Sequence, residues 1–144
     1  MKAVLTWAAM ALLAATPVWP QGPQGVAFAE APENSGGHCF GGSPESAFAC
    51  AREACVKGGE GLRPSDCLRV RWCFPAGWSA EVAVRSEAGP HWHEHLCGWD
   101  SQAAVEAAAT LSCDLSRRTD LAECALVRVC LLYTSDAADD VAGV

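Results

Sequence analysis

Basic side chains are scarce in this 144-residue chain: ten Lys and Arg stand against 17 Asp and Glu, for a net charge of −7. They form no cluster. The positive surface that phosphate backbones and anionic membranes demand is therefore missing, and nucleic acid is excluded as an expected partner. Catalytic signatures are equally thin. There is no Gly-x-Ser-x-Gly nucleophile elbow and no Cys-x-x-Cys redox pair. The Gly-rich run Gly58-Gly59-Glu60-Gly61 follows a predicted helix rather than a strand, which is the wrong context for a phosphate loop. The apolar stretch Ala3 to Ala15 holds 13 residues, whereas crossing about 30 Å of hydrocarbon takes about 20.

That short apolar stretch follows Lys2, and Ala27-Phe28-Ala29 offers the small residues a signal peptidase accepts. Residues 1–29 thus read as a secretory leader, with a flexible linker at 30–38. The expected location is periplasmic or extracellular, with no stable membrane anchor after cleavage. The other end has a different origin. Cys130-Leu131-Leu132-Tyr133-Thr134-Ser135-Asp136-Ala137-Ala138-Asp139 matches, over ten consecutive codons, the translation of a transposase-type sequencing adapter. Residues 130–144 are accordingly expected to be an artefact tail that replaces the natural C-terminus. Cys130 is undecided between adapter and gene.

Removing both ends leaves 100 residues with eight Cys, the density of a disulfide scaffold in an oxidising compartment. They are arranged as a repeat. An offset of 58 aligns Cys39 with Cys97, Ser43 with Ser101 and Cys55 with Cys113. After a one-residue deletion, Cys67 meets Cys124, Cys73 meets Cys130, and Val70-Arg71 meets Val127-Arg128. Two copies, 39–73 and 97–130, are expected to pack as one pseudo-symmetric domain over 39–129.

Each copy predicts a helix, a Cys, a loop, a Cys and a strand. Ser43 with Pro44 starts the first helix, whose Ala47, Ala51 and Ala54 share a face. In the second, Asp100 or Ser101 is the cap, and Ala104, Val105, Ala108 and Leu111 mark the buried side. Leu68, Val70 and Trp72 alternate with Arg69 and Arg71, as in a half-buried strand. A hairpin, Trp78 to Arg85 and His91 to Cys97, joins the copies, with Ala80, Val82 and Val84 inward. The expected order is α-β-β-β-α-β. The expected fold class is α+β, a mostly antiparallel sheet carrying two short helices on one face and stapled by disulfides.

A helix that begins at Ser and ends in Cys, followed by Cys-x-x-Val on a strand, occurs at Ser43 to Cys55 with Cys67 to Val70, and again at Ser101 to Cys113 with Cys124 to Val127. In this the chain resembles a secreted bacterial family of unknown function, number forty-one eighty-nine. The resemblance covers about residues 39–129 and implies export and a stapled fold, with no reaction or catalytic residue. The family's Trp- and Gly-rich strand pair before the first helix is expected to be missing, since Ala31 to His38 is too short for it.

Three constellations remain. A helix end beside the strand beneath it predicts the bridges Cys55–Cys67 and Cys113–Cys124. Cys39, Cys73 and Cys97 are left to longer bridges of open pairing, and Cys50, which has no counterpart, is the expected free thiol. His91, His93, His95 and Cys97 share one face of a strand, so neighbouring imidazoles could share Zn²⁺ or Cu²⁺, with a further ligand from elsewhere. Trp72, Trp78, Trp92 and Trp99 could form a binding platform or, more commonly, core. The sequence therefore points to a non-enzymatic exported binding module for a protein or envelope component, with a periplasmic metal binder as the alternative. Resequencing the gene tests the tail: an independent assembly is expected to replace residues after Val129, and an unchanged sequence would show the tail to be genuine.

Overall fold

The computed structural model describes residues 24–132, which form six strands and two helices. In chain order these are β1 (Gly25–Ala31), β2 (Ser35–Gly41), α1 (Pro44–Gly58), β3 (Leu68–Cys73), β4 (Trp78–Ser86), β5 (His91–Trp99), α2 (Gln102–Ser112) and β6 (Leu121–Leu131). The fold is α+β. Its strands make two three-stranded antiparallel sheets, ordered β2-β1-β3 and β5-β4-β6, rather than the single sheet expected. Each half is therefore strand-strand-helix-strand, with its first strand in the middle of its sheet.

The difference traces to residues assigned to the leader and linker. Ala27, Phe28 and Ala29 lie in the middle of β1, buried and paired on both sides. A cut after Ala29 would remove the centre of a sheet. Residues 30–38 are likewise no linker, because they complete β1, turn, and begin β2. Together β1 and β2 supply the strand pair before the first helix that the sequence was expected to lack. The hairpin β4–β5 exists, but it opens the second half instead of joining two copies. Residues 1–23 and 133–144 lie outside the described part, and with them the leader's apolar stretch and most of the expected tail.

Small side chains dictate the packing. Ala27, Ala29 and Ala31 of β1 meet Ala47, Phe48, Ala51 and Cys55 of α1. In the second half Ala80, Val82 and Val84 of β4 meet Val105 and Ala109 of α2, with Leu121. Close approach is so tight that a side chain at Gly37 would run into the α1 backbone at Ala51 and Cys55. Both helices are capped as expected: the hydroxyls of Ser43 and Ser101 accept from the N–H of Ser46 (3.3 Å) and Ala104 (3.2 Å). The buried face of α2 is centred on Val105 and Ala109, and Leu111 turns outward at 60% exposure.

The repeated Val-Arg pairs are β-bulges. On β1, Phe28 pairs with Arg71 and Ala29 with Arg69, which leaves Val70 as an extra residue. On β4, Glu81 pairs with Arg128 and Val82 with Leu126, which leaves Val127 extra. A bulge shifts the side-chain parity beyond it. Trp72 accordingly packs on the α1 side, and Arg69 lies over the Phe48 ring at 5.0 Å. Leu68 and Val70 remain exposed at 56% and 42% beside Glu30, Trp92 and Leu96. The simple alternation expected of this strand is thereby broken.

Four disulfides close the structure. Cys55–Cys67 and Cys113–Cys124 join each helix end to its following strand, with Cα separations of 6.2 and 5.2 Å. Cys73–Cys97 ties β3 to β5 and so joins the two halves. The expected free thiol at Cys50 is corrected: Cys50 is bonded to Cys39, whose side chain turns toward α1 alongside Ala27. Cys130 near the end of β6 is the free cysteine among the described residues, its Sγ 3.2 Å from Ser79 Oγ. Such bridges belong to an oxidising compartment. No helix among the described residues is long and apolar enough to cross a membrane.

Non-reducing peptide mapping is expected to recover 39–50, 55–67, 73–97 and 113–124, with Cys130 open to alkylation. The double variant Cys113→Ser/Cys124→Ser removes a loop of sequence separation 11 and is expected to cost about 3 kcal/mol in chemical unfolding.

Candidate functional site

The sheet faces not covered by helices look toward each other. From β1, Val26 and Phe28 pack with Ala76, Phe40, Cys73, Cys97 and Leu132. The Phe28 ring stacks on the His95 imidazole, with centroids 4.4 Å apart and planes inclined by 13°. At the same level, Arg71, Phe28 and His38 form a row across the first sheet, and Arg128, Glu81 and His95 form the matching row across the second. The structural offset between the histidines is 57 rather than 58. Gly98, at φ +80° beside the register shift in β5, accommodates the extra residue. That slip explains why the aligned Cys39 and Cys97 face opposite ways and take different partners.

Between the sheets lies a cleft of about 380 Å³, walled by the β1–β2 hairpin on one side and β5 on the other. Its side chains include Phe28, Glu30, Glu33, His38, Glu81, His93, His95 and Arg128. Antiparallel pairing leaves alternate N–H groups of an edge strand pointing outward. On β5, two of those groups are taken by carboxylates of the first half. Glu30 Oε1 accepts from His93 N–H at 2.8 Å, and Glu33 Oε1 from His91 N–H at 3.4 Å. The two acids thus act in place of a neighbouring strand.

The three histidines of β5 do share a face, yet each has its own surroundings. His91 Nδ1 lies 3.7 Å from Glu33, and His93 Nδ1 lies 2.7 Å from Glu81. Glu81 also holds Arg128 at 2.8 Å. His95 is stacked instead. Among the described residues no three His, Cys, Asp or Glu side chains converge as a metal site requires, because extended-strand spacing spreads the imidazoles along the cleft wall. The opposite face of β5 serves the core: Trp92 and Leu96 pack toward α2, and Glu94 is held by Arg118 (2.9 Å) and Ser112 (3.2 Å). Trp78 also packs into that core and Trp72 into the first, while Trp99 is exposed, so the four tryptophans form no common platform.

Desolvation sets the protonation of the cleft. His95 is driven down from 6.5 to about 4 by burial, which outweighs the opposing charge of Glu81. His38 is also lowered, by desolvation first and then by the Arg128 charge. Burial raises Glu30, against the opposing hydrogen bond from His93. At neutral pH His95 is therefore an uncharged imidazole in the cleft wall.

Sequence reasoning missed Glu30, Glu33, His38, Glu81 and Arg128. The first two were hidden by the leader and linker assignment. The repeated Val-Arg pair was the signal available for Arg128. No protein-family model matches the chain, and neither does any curated protein or solved structure.

Two outcomes follow. His95 has a folded value below its ordinary 6.5, so its contribution is present above about pH 6.5 and is lost as pH falls toward 4. Glu30 shifts in the opposite sense. Between pH 7 and 4, His95→Gln is expected to flatten the fall in stability by on the order of 3 kcal/mol, read from urea unfolding at each pH. An unchanged slope would show that His95 is not desolvated. A side chain at Gly36 meets nothing nearer than Ala29 O at 3.9 Å. Gly36→Leu should therefore fold within about 0.5 kcal/mol of the parent, while Gly37→Val, blocked by α1, should lose about 3 kcal/mol or more.

Proposed function

We propose that this chain is an exported, non-enzymatic binding module that receives its partner, a protein or envelope component, in the cleft between its two sheets. One observation carries the reading: a concave site of about 380 Å³ is fixed between two sheets that Cys73–Cys97 locks together. Ligand sites are typically preformed concavities of this size with a few placed polar groups. The four disulfides support life in the periplasm or outside the cell. A leader consistent with β1 ends before Gln24, so the processing site moves upstream of Ala27-Phe28-Ala29. The matching order of elements and strands in the two halves, with a Val-Arg bulge in each, supports an origin by duplication. Kinship with the secreted family of unknown function rests on the same helix-Cys and Cys-strand segments. A Zn²⁺ or Cu²⁺ site on His91, His93 and His95 would need a converging third donor, and the separate partners of these side chains argue against it.

The oxidised protein, immobilised, is expected to retain a defined component of an envelope extract, and Gly36→Leu, which fills the cleft, is expected not to retain it. Retention unaffected by Gly36→Leu would contradict the cleft as the receiving surface. Turnover of a hydrolytic substrate by the purified protein would contradict the non-enzymatic reading.

A further inference from the structure

Resting on the binding-module reading, we infer that a groove between β3 and β5 receives the apolar C-terminal end of a partner protein, laid in extended form with its terminal carboxylate on Arg71. The groove, of about 230 Å³, adjoins the cleft and shares Glu30, His93 and His95 with it. Its walls are largely apolar: Leu68 and Val70 of β3 are exposed, and Trp92 and Leu96 of β5 are half-buried. The two strands are edges of different sheets, and among the described residues neither pairs with a strand across the groove. The alternation that turns the His91 and His93 N–H groups outward turns that of His95 outward as well. An extended chain thus meets apolar side chains together with the backbone of an open edge, the combination that strand addition uses.

The second half supplies the comparison that assigns the carboxylate. Arg71 and Arg128 each follow the bulged valine of their half and stand in matching rows of their sheets. Arg128 has an acid beside it, Glu81 on β4, at 2.8 Å. The equivalent place on β1 holds Phe28, and among the described residues Arg71 has no ion pair or hydrogen bond. The acids of the groove are engaged elsewhere: Glu94 is held by Arg118 and Ser112, and Glu30 accepts from the His93 N–H. Arg71 is therefore the cation left for an incoming carboxylate. Its position selects a chain end over an internal acidic residue. Both walls run toward Cys73–Cys97, whose Cα atoms are 5.8 Å apart, whereas a strand inserted between two others needs about 4.8 Å on each side. The groove is closed there, and Arg71 comes just before Cys73 on the same strand. A chain entering from the open end stops beside Arg71, where its own terminal carboxylate lies.

The test is an amide NMR titration of the oxidised, isotope-labelled chain with three probes: acetyl-Val-Leu-Val with a free carboxylate, the same peptide ending in an amide, and octanoate. The acid-ended peptide is expected to saturate with a Kd below about 1 mM and to shift the amides of Val70, Arg71 and His95. Its amide counterpart should bind at least about tenfold more weakly. Arg71→Gln removes a charge that has no partner within the chain, so the thermal midpoint should hold while the acid-ended peptide weakens about tenfold, to the level of the amide. Equal affinity for acid and amide, shifts confined to other strands, no saturation, or an unchanged Arg71→Gln titration would overturn the inference. Octanoate binding as tightly as the acid-ended peptide would assign a fatty acid in place of a chain end and overturn it equally. An envelope component retained through the cleft despite such a result would leave the binding-module reading standing and remove only the groove.

Discussion

Cys73–Cys97 is the bond through which two small halves become one molecule with an interior surface. Each half closes its own helix with a local disulfide, and each has a core built largely of alanine, valine and cysteine. Such side chains let helix and sheet approach closely, but they bury little apolar area, and area is what drives folding. Covalent bridges supply the missing restraint. The bridge between β3 and β5 has a second consequence: it brings the uncovered faces of both sheets together while leaving the cleft between the β1–β2 hairpin and β5.

The contacts that accompany this bridge are mixed in character. Phe28 stacks on His95, and Glu30 and Glu33 take the outward N–H groups of β5. These side chains give an edge strand the acceptors it would otherwise find in water or in another chain. They also cost something, since Glu30 is raised and His95 lowered by loss of solvent. Both shifted groups lie at the walls of the cleft. The same residues that join the halves therefore shape the chemistry of the space between them.

Much of this was legible from local pattern. The caps at Ser43 and Ser101, the bridges Cys55–Cys67 and Cys113–Cys124, and the β4–β5 hairpin depend on neighbours in sequence. What was not legible depends on competition between two readings of the same residues. Ala27-Phe28-Ala29 satisfies a processing site and equally a buried strand with small residues facing a helix; burial on both faces decides for the strand. Cys39 and Cys97 align in sequence, yet one extra residue at Gly98 gives them opposite faces and different partners. The cleft residues escaped notice because they come from both halves, and no periodicity within one element reveals a contact across sheets.

The central claim is that the first sheet grips the edge of the second through Glu30, fixing the cleft. Amide hydrogen exchange at His93 tests this most directly. The account predicts that the His93 N–H is protected in the parent, and that exchange speeds up about tenfold or more in Glu30→Ala while amides inside α2 keep their rates. A His93 amide that exchanges in the parent like that of a free edge strand would contradict it.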